Sequence, residues 1–201
     1  MNYGEIKHNL ISLVFGETSD LEEVEELGYL YDAVNRAISQ IGVQFPYIDK
    51  YEFDIDLADA EDGDFIYIDM TDVDERFLEF ADTPVLFEKN GKSMFTRFSS
   101  YDIETDSTIV IDPSGNDGSY RIYYKKKCED FTESTEDTDS PELPLKAHFL
   151  IPPLAAYWLW LDDDDQKATQ YLNIYEQNTT SLIEKMNKPT ARVVANEWGV
   201  I

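Results

Sequence analysis

A chain of 201 residues with 42% apolar and 13% aromatic content can bury a good core and is not disordered overall. Its 42 Asp and Glu against 16 Lys and Arg give a formal net charge of −26, which repels a phosphate backbone and excludes a body that grips nucleic acid. The single cysteine, Cys128, excludes an intramolecular disulfide scaffold.

The first 45 residues read as a helical hairpin. Tyr3, Ile6, Leu10, Leu13 and Val14 recur at three- and four-residue spacing. Gly16 is placed to end that helix, and Thr18, Ser19 and Asp20 to cap a second one. The second carries Leu21, Val24, Leu27, Leu30, Val34 and Ile38 on one face, with Gly42 and Pro46 expected to stop it. Residues 1–20 lack a basic start and a small-residue cleavage site, so no signal peptide is expected.

From residue 46 to 127 the period becomes two, which predicts an inserted antiparallel β module of short strands. The segments are Tyr47–Ile55, Phe65–Met70, Pro84–Glu88, Ser93–Phe98, Thr108–Ile111 and Tyr120–Tyr124, while Arg76–Phe80 fits a strand or a helical turn equally. Asn90-Gly91 and Asp112-Pro113-Ser114-Gly115 are the turn signals, the second joining two strands into a hairpin. Residues 128–144 are acidic, rich in Ser and Thr, and closed by Pro141 and Pro144, so they read as a loop. A helix over 145–161, kinked by Pro152-Pro153, and an amphipathic helix from about Asp164 to Met186 follow. The run Phe149–Leu161 has thirteen residues, short of the roughly 20 that span a bilayer. The predicted class is α+β, with a helical bundle of about four helices (1–45 and 145–187) holding the inserted β module.

No enzyme is expected. The two histidines, His8 and His148, form no cluster with metal spacing, and Cys128 sits among acids that raise a thiol's pKa. Residues 54–64 fail as a calcium loop: with Gly63 at the sixth position, Ala58 and Ala60 fall where oxygen ligands are required. Asp162, Asp163, Asp164 and Asp165 open the last helix, where carboxylates satisfy free N–H groups and favour the dipole; a divalent-ion site at a subunit contact is the alternative. No phosphate-binding or serine-hydrolase signature is present, and no cofactor is called for. Tyr157, Trp158 and Trp160 read as core. The tail, 188–201, offers Arg192, Val193, Val194, Trp198, Val200 and Ile201 as anchors for docking on a partner, as a strand added to a sheet edge.

Four segments in this order carry a resemblance: LYDAVNRAISQI (30–41), TIVIDPSGNDGSYRIYYKKK (108–127), the acidic loop ending in SPELP (140–144), and AHFLIPPLAAYWLWL (147–161). Together they resemble the head-to-tail connector adaptors of tailed bacteriophages, the ring proteins beneath the portal. The resemblance spans about 1–187 in outline and rests on element order, not on invariant residues. It implies a virion protein made in the host cytoplasm, a homo-oligomeric ring of about twelve copies, and portal and adjoining tail or ring proteins as partners. DNA would pass through without specific binding, no membrane would be involved, and Asp162–Asp165 become candidates for the channel lining. The rival expectations are another head- or tail-completion protein and an acidic, DNA-mimicking or protein-binding domain.

Overall fold

Asn2 opens the first helix by a reciprocal cap. Its Oδ1 accepts from Glu5 N (2.8 Å) while Glu5 Oε2 accepts from Asn2 N (3.1 Å). Helix α1 (Tyr3–Phe15) ends at Gly16, whose φ of 87° only glycine adopts at ease. The computed structural model describes residues 1–16, 27–56, 65–89 and 94–187. The expected caps at 18–20, the residues Leu21 and Val24, the acidic turn at 57–64, the Asn90-Gly91 turn and the tail at 188–201 lie outside them.

Helix α2 spans Leu27–Gln44. It runs through Gly42, where Cys128 Sγ and Leu143 come against the helix. Leu30, Val34, Ala37, Ile38 and Ile41 form its buried stripe. The segment after the acidic loop is not the kinked helix expected. A 3-10 helix, Leu145–Leu150, precedes α4 (Ile151–Trp160), and the prolines occupy the first turn of α4. There the missing proline N–H groups cost nothing, because first-turn donors have no partner inside the helix. Helix α5 covers Asp165–Asn187 and buries Ala168, Tyr175, Thr179 and Leu182. These helices share one core with Phe131, Leu143 and Cys128 from the acidic loop.

The remaining elements are β1 (Tyr47–Ile55), β2 (Ile66–Asp69), the short helix α3 (Met70–Val73), β3 (Phe77–Lys89), β4 (Thr96–Arg97), β5 (Tyr101–Ile103), β6 (Thr108–Ile111) and β7 (Gly118–Lys126). Two antiparallel sheets result, in the orders β1-β7-β3-β4 and β2-β6-β5. The α+β class stands, but the expected helical bundle with an insertion is overturned. Among the described residues five α-helices stand beside seven strands in two sheets, and the strands have a separate core built on Val85, Ile109, Ile111, Tyr120 and Ile122.

Two strand expectations change for physical reasons. Arg76–Phe80 and Pro84–Glu88 merge into the single strand β3, whose register against β7 slips between Phe80 and Val85, where Pro84 interrupts the ladder. The hairpin predicted around Pro113 does not pair: β6 lies in one sheet and β7 in the other. Both carry fully buried residues, Ile109 and Ile111 on β6 and Tyr120 and Ile122 on β7, and placing them in separate sheets lets both bury in one core. Rings of Phe53, Phe87 and Phe98 surround Tyr120 at centroid distances of 5.5, 4.8 and 5.1 Å. Burial, with Asp112 and Asp117 nearby, pushes the Tyr120 hydroxyl up to about 12.

Gly118 sets how closely β3 approaches β7. Its φ is 150°, and an added Cβ would lie 2.1 Å from Glu88 O. Gly118→Ala should therefore destabilise the protein by about 3 kcal/mol in chemical denaturation, near the upper end of single-site effects.

Candidate functional site

The acidic loop behaves as a strap. Tyr3 N and Gly4 N, two first-turn donors of α1, find carbonyls in it, at Asp139 O (2.7 Å) and Asp137 O (2.9 Å). Lys7 pairs with the Asp137 carboxylate. Asn35 of α2 grips both backbone groups of one strap residue: its Nδ2 donates to Phe131 O (2.8 Å) and its Oδ1 accepts from Phe131 N (2.8 Å). The Phe131 ring packs on Tyr3, with centroids 4.7 Å apart. His148 completes the attachment, donating from Nε2 to Leu143 O (2.9 Å) and accepting at Nδ1 from Met1 N (3.0 Å). So His148 is a buried structural residue, while His8 is exposed.

The strap ends on a charge cluster joining the strands to the helices. Glu142 accepts from Arg76 Nη1 (2.6 Å) and from Glu129 N (3.0 Å), and its carboxylate lies 3.6 Å from Lys126 Nζ. Lys126, only 8% exposed, pairs with Asp49 at 2.7 Å. Asp74 closes the group, accepting from Tyr124 OH (2.9 Å) and from Arg76 N (2.9 Å). Burial alone would raise the Asp49 pKa; the Lys126 hydrogen bond, the Lys50 amide and the Lys126 charge outweigh it and hold Asp49 below the usual carboxylate range. Burial opposes the charge on Lys126 and Arg76 too, and their acidic partners overcome it, raising both.

Cys128 borders this cluster. Its thiol donates to Glu142 O (2.9 Å), and burial first, the Glu142 charge second, push it up to about 11. Such a thiol is a poor nucleophile. Among the described residues, no group of three or more His, Cys, Asp or Glu is placed to hold a metal ion, and no helix is long and apolar enough to cross a membrane.

The other candidates separate. Within Asp162–Asp165, Asp164 performs the capping: its Oδ1 accepts from Gln166 N (3.0 Å) and Lys167 N (3.1 Å), and Asp165 is the first residue of α5. Asp162 and Asp163 are exposed. Tyr157 and Trp158 pack against the helical core. Cations stand over the indoles: Arg36 over Trp158 (5.5 Å) and Lys167 over Trp160 (3.7 Å). Arg192, Val193, Val194, Trp198, Val200 and Ile201 fall outside the described residues.

Periodicity missed the junction cluster, although one signal was readable. Tyr120, Ile122, Tyr124 and Lys126 share a face of one alternating strand, and a lysine on an apolar face needs buried acids.

Asp164→Ala should cost about 1 kcal/mol in thermal or chemical unfolding, whereas Asp162→Ala and Asp163→Ala should stay within about 0.5 kcal/mol. The junction gives a pH dependence. Because the folded Asp49 pKa is depressed, its stabilisation is complete above the unfolded value of about 4 and is lost as pH falls through the folded value. Acid titration of unfolding should show that loss, and Asp49→Asn should be less stable at neutral pH and less acid-sensitive.

No family model matches the chain, and no curated protein matches it.

Proposed function

We propose that the chain is a head-to-tail connector adaptor of a tailed bacteriophage, a structural virion protein that forms a ring beneath the portal and works through protein–protein contacts. The order of its elements carries the reading: two helices, a β part, an acidic strap ending in Pro141-Glu142-Leu143-Pro144, then the α4–α5 helix pair. The strap also supports it, since this irregular segment ties helices together through Asn35 and the first turn of α1. A subunit of this kind closes a ring by repeating one heterologous contact around an axis.

Two surface features fit the role. The formal charge of −26 lets DNA pass without binding, because a phosphate backbone is held by cations that displace its counterions. Ile183 and Met186, at the end of α5, are 42% and 55% exposed and lead into the tail with Arg192, Trp198 and Ile201, residue types suited to anchoring on the portal or a neighbour. Asp162 and Asp163, exposed beside the cap of α5, are the acids available to a channel wall.

Light scattering and negative-stain images of the full chain, alone and with a candidate portal, test the reading. A closed ring, formed alone or on the portal, is the expected result, and removal of residues 190–201 should weaken docking on the portal. A monomer at high concentration with the portal present would sink it. Capture of a basic protein at low salt, released at high salt, would point instead to the acidic DNA-mimicking alternative.

A further inference from the structure

The molecule has two cores and a polar seam. The helical core includes Ile6, Val34, Ile41, Leu150 and Leu154, the β core includes Val85, Ile109, Tyr120 and Ile122, and no residue belongs to both. Helices α1, α2, α4 and α5 pack on helices and strands on strands, while the one-turn helix α3 joins the β core through Met70. The chain crosses the seam twice, between Phe45 and Tyr47 and between Lys126 and Cys128.

Charge and hydrogen bonds hold the seam. From the β side come Asp49, Asp74, Arg76 and Lys126; from the strap come Glu129 and Glu142. Lys127 N also donates to Arg76 O (2.8 Å) at the crossing. The Arg76 and Glu142 side chains are each 28% exposed, so water can replace their contact when it opens. The two cores share no residue, so apart from Cys128, the member of the helical core beside the crossing, each keeps its own apolar contacts in that event.

We propose that this seam is a hinge latch: Glu142, holding Arg76 and Lys126 from the strap, fixes the β part against the helices, and its release lets the two cores swing while both stay folded. The device is a property of the single chain and holds whether or not the chain closes into a ring.

The lone cysteine reports on the latch. Cys128 lies beside the second crossing, is 5% exposed, donates to Glu142 O and sits against Gly42 of α2. Opening the seam pulls Lys127 and the adjoining Cys128 away from Gly42 of α2 and bares the thiol. Global unfolding bares it too, but exposes far more surface and so depends more steeply on denaturant.

The experiment is alkylation of Cys128 by iodoacetamide in the full-length chain, followed against low concentrations of urea. In the wild type, the urea dependence of the rate should be well below that of global unfolding measured by circular dichroism. Glu142→Gln and Arg76→Gln should each raise the rate at least tenfold with the far-ultraviolet spectrum unchanged, and about 1 M salt should raise the wild-type rate in the same direction. A wild-type rate that follows urea as steeply as global unfolding overturns the latch, as do two folded variants with wild-type rates. If either variant fails to fold, the urea and salt dependence of the wild type decides.

Discussion

The contact of Glu142 with Arg76 and Lys126 is the constraint on which the arrangement of the rest depends. Two apolar cores account for the stability of the helices and of the sheets separately, but neither core reaches across to the other. What aligns them is a carboxylate delivered by the strap between Pro141 and Pro144, met by a guanidinium and an ammonium from the β side. Proline at both flanks restricts the backbone conformations of that turn, so the carboxylate is presented with less conformational freedom to lose. The same segment presents Leu143 to the helical core and its carbonyl to His148, so one short turn serves core, seam and α1 together.

A chain with so large an acidic excess must place its few cations carefully. The run Lys125-Lys126-Lys127 would be repulsive on one surface, but strand alternation sends the residues to different partners. Lys125 reaches Glu79 on β3, Lys126 points inward to Asp49 on β1, and Lys127 reaches Asp130 in the strap. Arg121 pairs with Glu52 and lies over the Phe95 ring. The exposed pairs contribute little each. Lys126 differs, because a charge that is 8% exposed is costly unless paired, and removing one partner leaves it stranded.

Much of the local structure was legible in the sequence. The helical spacing of Tyr3, Ile6 and Leu10 predicted α1 and its end at Gly16, and alternation predicted β1 and the β6 segment, because those signals are periodic within one element. Cap chemistry at Asp164 was readable for the same reason: donor and acceptor lie within three residues of each other. Signals shared between elements were harder to read. Pro152-Pro153 suggested a kink, whereas Leu145–Leu150 forms a 3-10 turn that lets α4 begin at the prolines. The Pro113 turn carried a hairpin signal, and the strands on either side went to different sheets. The strap looked like an irregular acidic linker because its partners, Asn35 and the α1 N-terminus, lie far away in the sequence, 96 residues for Asn35 and further for α1.

By itself the sequence determined the α+β class, the boundary between helical and strand periodicity, and a surface charge unsuited to gripping nucleic acid. Each follows from residue types at short spacing, which no later packing can alter. The tertiary structure alone decided that the strands form two sheets with their own core instead of an insertion in a helical bundle. It also decided that the acidic loop is a strap, and that Glu142, Arg76, Lys126, Asp49 and Asp74 meet. Those outcomes depend on which apolar faces bury one another, and a buried lysine selects its acids only after the strands have turned it inward.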